Sequence, residues 1–156
     1  MTDSEKICID VLSGAEAEQP FHYAAGVYGS VFINELRDNK KLMGIKCPKC
    51  GKVYVPPRRV CPPCFTEMTE LVEVASEGEI YTFTVVSFGF LDPGTGKEKP
   101  VPYTSAVIKL DGADNRFLHF IDETDPAKLK IGARVKAVFE DERSGGLLDI
   151  KHFTLV

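Results

Sequence analysis

Residues 47–64 read CPKCGKVYVPPRRVCPPC and contain two Cys-x-x-Cys pairs, Cys47 with Cys50 and Cys61 with Cys64. Each pair can present two sulfurs from one tight turn, so the two pairs supply the four ligands of a tetrahedral metal site. A shell closed by four thiolates leaves no open position for a substrate, and the site is therefore predicted to be structural. Zn²⁺ is the predicted ion, and iron in a rubredoxin-like site is the alternative because four thiolates accept either metal.

The sequence pattern of the second half of the chain is that of a small β-barrel. From Leu71 onward the sequence is rich in Val, Ile, Thr, Tyr and Phe and is divided by glycine and proline turns, which is typical of strands. One helical turn is predicted at residues 125–129, between the third and fourth strands. Five strands in this order indicate an OB-fold barrel. The predicted strands are Leu71–Phe88 with a bend or bulge at 77–78, Tyr103–Leu110, Arg116–Ile121, Ala133–Glu140 and Leu147–Leu155.

An amphipathic helix is predicted before the cysteines, over residues 30–45. Its apolar residues recur at helical spacing, with Ser30 a suitable N-cap and Gly44 a suitable stop. The apolar stripe is expected to pack against this chain or against a partner, because so short a helix is marginal alone. The predicted fold is thus mainly β: an N-terminal arm and helix over residues 1–45, a zinc ribbon over 46–68 and an OB-fold domain over 69–156.

Composition limits the classes of function. The 156-residue chain has a net charge of −4 at pH 7, five cysteines, no apolar signal segment at its start and no run of eighteen apolar residues. It is therefore predicted to be a cytoplasmic protein that does not enter a membrane. The acidic balance argues against general nucleic-acid affinity. One region differs, since seven of the 19 Lys and Arg lie between Lys40 and Arg59, where no Asp or Glu occurs.

The segment from Phe32 to Cys64, followed by GEIYTFTVV at residues 78–86 and IGARV at 131–135, resembles the family of zinc-ribbon plus OB-fold proteins associated with acyl-CoA metabolism. The resemblance covers nearly the whole chain from about Tyr23. It implies an N-terminal helical segment, a rubredoxin-like zinc ribbon and a C-terminal five-stranded OB-fold barrel. Many members carry a tryptophan shortly after the last zinc cysteine, and this chain has no tryptophan.

The resemblance also implies a role. Members of that family are small companion subunits of thiolase-superfamily enzymes, and the catalytic nucleophile belongs to the partner. The expectation is a noncatalytic accessory subunit of a thiolase-type acyl-CoA acyltransferase, or a related acyl-CoA aldolase, in a hetero-oligomer. Such a complex would cleave or form a carbon–carbon bond in a 3-oxoacyl-CoA-like substrate, and this chain would dock on the catalytic subunit and help form its acyl-CoA site.

Six residues are candidates for contact with an acyl-CoA at the shared interface. The basic ones would attract the CoA phosphates, and the competing interpretation is a solvated face that offsets the negative charge of the thiolates. The aromatic ones flank the loop at residues 89–102 and would form an apolar lip, although core packing explains most such aromatics. The candidates are Lys49, Lys52, Arg58, Arg59, Phe88 and Tyr103.

No catalytic residue is predicted. Cys8 has no neighbouring base, and strand alternation turns His119 away from Leu118 and Phe120, so it is predicted to be a surface histidine. The alternative function is a nucleic-acid-binding OB-fold and zinc-ribbon module, since such barrels stack bases on exposed aromatics. The charge of residues 71–156, ten Lys and Arg against fourteen Asp and Glu, disfavours a phosphate track and therefore this alternative.

Overall fold

The computed structural model describes residues 10–12, 22–89, 91–92 and 97–156. In that part of the chain it has one α-helix, α1 (Gly26–Asn39), a 3₁₀ turn at Leu147–Asp149 and twelve strands. The strands are β1 (Asp10–Leu12), β2 (His22–Ala24), β3 (Leu42–Lys46), β4 (Val53–Tyr54), β5 (Glu70–Val74), β6 (Glu77–Val86), β7 (Leu91–Asp92), β8 (Lys97–Glu98), β9 (Tyr103–Leu110), β10 (Phe117–Ile121), β11 (Arg134–Phe139) and β12 (Ile150–Leu155).

Five strands close into a barrel in the order β10-β12-β11-β6-β9. The single parallel pairing joins β10 to β12, with Ile121 opposite Phe153, and the other neighbours are antiparallel. This is the strand order of an OB fold, in which the third strand pairs with the fifth. The predicted barrel is confirmed, and the segment at 125–129 forms a turn in which Lys128 N–H donates to the Asp125 carbonyl.

The predicted strand Leu71–Phe88 is two strands that belong to two sheets. β5 pairs with β3, which also pairs with β4, and these three form the sheet beneath the cysteine turns. The chain then crosses at Ala75 and Ser76 into β6, the first barrel strand. The zinc ribbon is therefore tied to the barrel by covalent continuity from one strand to the next.

The predicted bounds of the helix were wrong at both ends. α1 begins after Ala25, so Ser30 lies inside it and is buried rather than capping it. It ends at Lys40, whose φ of 57° is left-handed, and Lys41 N–H donates to the Glu35 carbonyl at 3.2 Å. Gly44 is not a helix stop. It lies in β3, where a Cβ would come within 2.9 Å of the Val53 side chain.

The ribbon is clamped to the barrel through the β9–β10 turn. Val53 N–H donates to Asp114 Oδ2 at 2.8 Å, and Asp114 N–H donates to the Val53 carbonyl at 2.8 Å. Asn115 donates from Nδ2 to the Val55 carbonyl at 2.6 Å and accepts from Val55 N–H at 2.8 Å. These two side chains pair with β4 and the residue after it much as a neighbouring strand would.

One apolar core joins the helix, the three-stranded sheet and the barrel. Phe32 and Leu36 of α1 are buried in it, so the apolar stripe of the helix packs against this chain. Leu42 and Val74 contribute from the sheet, and Ile108 is among the barrel residues. Within the described residues, α1 is too short and too polar to cross a bilayer.

Candidate functional site

The four cysteines of the two pairs come together in one cluster. Their Sγ atoms all lie within 4.8 Å of one another, and Cys50 Sγ is 3.7 Å from Cys61 Sγ. A tetrahedron with Zn–S bonds of ~2.3 Å has sulfur–sulfur edges of about 3.8 Å. The spacing and the donor set therefore fit a tetrahedral metal ion. Cys47 and Cys61 are buried, whereas Cys50 is exposed.

Two matching backbone turns hold the sulfurs. In the first, Cys47 N–H donates to the Lys52 carbonyl at 2.8 Å, and Gly51 N–H donates to the Cys47 carbonyl at 2.9 Å. The second repeats this pattern fourteen residues later, with Cys61 N–H to the Thr66 carbonyl and Phe65 N–H to the Cys61 carbonyl, both at 2.9 Å. Each turn needs a left-handed residue, which is Gly51 in the first, at φ 73°, and Phe65 in the second, at φ 52°.

The negative charge of the clustered thiolates favours a bound cation. Burial raises the pKa of Cys47, but the N–H groups of Cys50 and Lys49 and the neighbouring thiols outweigh it and bring that pKa to about 6. The hydrogen bond with Cys50, with burial added, raises the pKa of Cys64 to about 12. Thiolates at these distances repel one another, so the metal-free cluster retains protons that a divalent ion would displace.

Tyr54 supports the cluster from β4. Burial raises the pKa of its phenol to about 12, so the hydroxyl stays protonated and can donate to Cys61 Sγ at 3.7 Å. On its other side the ring carries the Arg58 guanidinium, 5.2 Å from the ring centroid. Tyr54 therefore links the candidate metal site to the basic surface beside it.

A cavity of about 570 Å³ lies between that basic surface and the start of α1. Arg58 and Arg59 line it, together with residues 25–29, Pro57 and Glu67. The N-cap residue Ala25 provides no side-chain cap, and the first turn of α1 has no acidic residue. The N–H groups of that turn, which lack partners within the helix, and the two guanidinium groups favour an anion in the cavity. Arg59 is partly neutralised, because its Nε is 2.9 Å from Glu67 Oε1.

The six candidate CoA contacts fall on two parts of the molecule. Lys49 and Lys52 are exposed on the first cysteine turn, and the two arginines follow β4. Phe88 is 70% exposed after β6, and Tyr103 begins β9. The structure thus gathers Arg58 and Arg59 into one cavity and places the two aromatic candidates on the barrel.

Lys99 was not singled out from the sequence, yet it covers the aromatic residues at this end of the barrel. Its Nζ lies 4.3 Å from the Tyr103 ring centroid and 3.6 Å from that of Phe120. The first turn of α1 was also missed, because Gly26 and Gly29 obscured the start of the helix. Apolar Val27 and Tyr28 beside those glycines were the available indication.

The prediction for His119 was wrong, since its side chain is 6% exposed inside the barrel. It stacks on Phe117, and its Nε2 donates to the Leu147 carbonyl at 3.2 Å. Burial lowers the pKa of His119, which keeps the ring neutral at pH 7. It therefore acts as a core residue. Cys8, the other candidate weighed for catalysis, lies outside the described residues.

Several cations of the barrel are paired with carboxylates. Arg134 Nη1 donates to Asp111 Oδ1 at 2.9 Å, and Lys136 Nζ is 3.2 Å from Glu77 Oε1. Lys128 and Lys151 are paired with Glu123 and Glu140. Such pairing, together with the acidic balance of residues 71–156, reduces the positive charge that the barrel offers to a phosphate backbone and disfavours the nucleic-acid alternative.

Two family models match the chain in the order of these elements. Residues 35–69 match the model described as the ChsH2 rubredoxin-like zinc ribbon domain, and residues 71–140 match that of the ChsH2 C-terminal OB-fold domain. The mainly β architecture expected from the sequence, with a ribbon before a five-stranded barrel, is thereby confirmed.

Two proteins of similar sequence and one solved structure of similar fold accompany these matches. A DUF35 domain-containing scaffold protein of Methanocaldococcus jannaschii is 35% identical, and the match covers 71% of this chain and 76% of that protein. The benzoylsuccinyl-CoA thiolase subunit BbsA of Thauera aromatica is 34% identical over 33% of this chain and 43% of that protein. Among solved structures, the Ltp2-ChsH2(DUF35) aldolase has a chain of the same fold, with a TM-score of 0.56 and 21% identity over 80% of this chain and 91% of that one.

Proposed function

The chain belongs to the family of zinc-ribbon and OB-fold proteins that includes ChsH2 and the DUF35 scaffold proteins, and from this premise we propose that it is a noncatalytic accessory subunit. Its partner is a thiolase-superfamily catalytic subunit, which carries the nucleophile. The complex cleaves or forms a carbon–carbon bond in a 3-oxoacyl-CoA-like substrate. This chain docks on the catalytic subunit and helps to form or stabilise its acyl-CoA site.

The proposal rests on the zinc-ribbon and barrel architecture of the chain and on what its relatives are named as. The chain is similar in sequence to a protein named as a scaffold and, over a shorter segment, to one named as a thiolase subunit. The site chemistry agrees, because the four clustered thiols make a closed ligand shell and His119 is buried among aromatic rings. Neither arrangement offers a reacting group to a substrate.

We assign Zn²⁺ to the four cysteines. The ion holds the two turns together and has no open position for chemistry. Iron is the competing metal for four thiolates. Metal analysis of the purified chain distinguishes the two, with about one zinc per chain expected.

We propose that the CoA phosphates bind in the cavity beside α1. Arg58, Arg59 and the first turn of α1 surround a space that suits the phosphates of a CoA, and Lys49 and Lys52 add positive charge on the same ribbon. Phe88 and Tyr103 form the apolar lip for the pantetheine arm or acyl group. The competing interpretation is a solvated basic face, with Arg58 held on Tyr54 and Arg59 held by Glu67.

The first experiment is affinity purification of the tagged chain from its native cell extract, with mass spectrometry of the co-eluting proteins and a metal assay on the same fraction. A stoichiometric thiolase-family protein is the expected result. Recovery of nucleic acid, or of this chain alone, would contradict the proposal and favour the binding-module alternative.

The second experiment tests the cavity. The double variant Arg58→Ala, Arg59→Ala is expected to raise the KM of the complex for acyl-CoA at least tenfold without changing the melting temperature of the chain. The matched control is Arg116→Ala, Lys130→Ala, which removes the same charge from the barrel and is expected to leave KM unchanged. An unchanged KM in the arginine variant would remove these residues from the site.

A further inference from the structure

The two cysteine turns have matching backbone hydrogen bonds, but their exposed side chains differ in charge. We call residues 46–52 the lysine knuckle and residues 60–66 the apolar knuckle. The lysine knuckle reads KCPKCGK and exposes three lysines, whereas the apolar knuckle reads VCPPCFT and has no charge. At every place where the first has a lysine, the second has Val60, Pro63 or Thr66. Metal binding requires only the cysteines and the turn, so it does not explain this difference.

Phe65 is the most unusual residue of the apolar knuckle. Its φ of 52° lies in the left-handed region, where a bulky side chain is disfavoured, and the equivalent residue of the lysine knuckle is Gly51. The backbone turn therefore favours glycine at this position. The strain at Phe65 is not offset by burial of its ring, because the side chain is 85% exposed. A strained residue whose ring gains no packing within its own chain indicates a function outside that chain.

The surroundings of Phe65 define what it can contact. Val60, Pro62 and Pro63 are exposed on the same turn, so the ring stands at the tip of an uncharged, apolar projection. The lysine knuckle lies directly beside it, because Cys50 Sγ and Cys61 Sγ are 3.7 Å apart across the cluster. An apolar tip flanked by lysines matches an apolar pocket bordered by carboxylates.

We propose that the apolar knuckle is a docking anchor, in which Phe65 inserts into an apolar pocket of the thiolase-family partner while the lysine knuckle faces carboxylates at the rim of that pocket. The inference rests on the proposed function for the identity of the partner. A protein surface is favoured over nucleic acid because residues 71–156 carry more Asp and Glu than Lys and Arg, and several of the barrel cations are paired with carboxylates. Aromatic anchors in desolvated pockets dominate the affinity of many interfaces, and a ring held rigidly on a metal-bound turn loses little entropy on binding.

The test is a comparison of Phe65→Gly with Phe65→Ala in the full chain, measured against the purified thiolase-family protein that co-purifies with the wild type. Phe65→Gly removes the ring and also the left-handed strain, whereas Phe65→Ala removes the ring and leaves a Cβ in the strained position. Both variants are expected to bind the partner at least tenfold more weakly. The melting temperature of Phe65→Gly is expected to equal or exceed that of the wild type. Ile131→Ala, which truncates an exposed apolar residue of the barrel, is the control and is expected to bind normally.

A further variant tests the flanking charge. Lys52→Glu is expected to weaken binding several-fold at low salt, with a smaller effect at 500 mM salt, since exposed charges are screened. Unchanged affinity in this variant would overturn the assignment of carboxylates to the rim of the pocket.

The outcomes separate this inference from the proposed function. Equal binding by the wild type and Phe65→Gly would overturn the anchor and leave the accessory-subunit proposal intact. Lower melting temperatures for both Phe65 variants, at saturating zinc, would mean that the ring stabilises the ribbon itself and would also overturn the anchor. No binding of the thiolase-family protein by the wild type would overturn the proposed function and this inference with it. Self-association of the wild type that Phe65→Gly abolishes would assign the knuckle to a second copy of this chain instead.

Discussion

At the scale of single residues, the cysteine cluster combines the geometry of a metal site with neighbouring thiolates that repel one another when no metal is bound. Cys47 has a pKa of about 6 and Cys64 a pKa of about 12, so the protons of the metal-free cluster are distributed unevenly over four neighbouring sulfurs. A divalent ion would replace these protons and close both turns at once. A bound metal would therefore contribute to folding of the ribbon directly, as in other small all-cysteine sites.

We expect Cys61→Ala to lose the metal and unfold the ribbon. Cys61 is buried, and structural zinc supplies folding free energy on the order of 10 kcal/mol in isolated modules. The measurements are the metal content of the purified variant and its amide proton NMR spectrum, in which the signals of residues 46–68 should collapse. Cys8→Ala, which lies outside both Cys-x-x-Cys pairs, is the control and should keep its metal. A metal-free Cys61→Ala chain with a native spectrum would contradict a structural site.

His119 makes the stability of the barrel depend on pH. Burial lowers its folded pKa below the unfolded value of ~6.5, so the unfolded chain binds the proton more readily. The stabilising contribution is complete above pH 6.5 and is lost as the pH falls towards the folded pKa. As the pH falls below 6.5 we expect the wild type to lose more unfolding free energy than His119→Phe does.

Urea unfolding at several pH values with excess zinc checks this expectation, because the metal site also responds to acid. The charged form of His152 would lower the pKa of His119, and His152 Nε2 lies 3.6 Å from Asp122 Oδ2. His152→Phe is therefore the matched control and should keep the pH dependence attributed to His119. Parallel pH profiles for the wild type and His119→Phe would rule out the buried histidine as the source.

The position of His119 shows the limit of strand alternation as a predictor. The pattern correctly put it on the face opposite Leu118 and Phe120. However, β10 has apolar residues on both faces, with Phe117 and Ile121 on the side of His119. Alternation says which residues share a face but not which face is inside when both are apolar. The clustering of the four cysteines was predictable because it depends on the local spacing of the two Cys-x-x-Cys pairs.

At the scale of elements, the order of the strands was predictable and their assignment to sheets was not. The turn residues at 111–112 correctly predicted the β9–β10 hairpin, and its bounds were close to those observed. In contrast, residues 42–45 were assigned to the helix because Met43 continues its apolar spacing. They belong to β3, since β4 and β5 pair with both of its edges. Such pairing is a tertiary effect that local periodicity does not contain.

The close packing of β6 against β9 requires a glycine at position 78, where the sequence predicted only a bend or bulge. A Cβ on this residue would lie 2.3 Å from the Lys109 carbonyl oxygen and 2.9 Å from Leu110 Cα, and backbone atoms of β9 cannot move aside without breaking the barrel. We expect Gly78→Ala to lower the unfolding free energy by about 3 kcal/mol or more. Thermal unfolding measures this change.

Gly89→Ala is the matched control for Gly78→Ala. An added Cβ at Gly89 meets no atom within 4 Å, and its φ is not left-handed, so the melting temperature should change little. Equal melting temperatures for the two variants would show that β6 and β9 are not packed as closely at Gly78 as the structure indicates.

At the scale of the whole molecule, the ribbon and the barrel are expected to behave as one cooperative unit. Phe32 and Leu36 of α1 share a core with barrel residues, and Arg143 Nε donates to the Arg37 carbonyl at 2.5 Å near the C-terminal end of α1. A scaffold that presents a metal-bound turn to a partner needs this rigidity, because a loosely attached ribbon would lose entropy on docking. The clamp at Asn115 is the most direct test of it.

In the Asn115→Ala variant, the ribbon and the barrel should therefore be coupled less tightly. The substitution leaves both Val55 N–H and the Val55 carbonyl without their side-chain partner in a partly buried position, which we expect to cost about 2–4 kcal/mol of unfolding free energy. Urea unfolding monitored by a ribbon signal and by a barrel signal should give two separated transitions instead of one. Asn39→Ala removes an exposed hydrogen bond to Glu35, and it should change the unfolding free energy by less than about 0.5 kcal/mol. Coincident transitions in Asn115→Ala, at wild-type stability, would mean that the shared core alone holds the ribbon against the barrel.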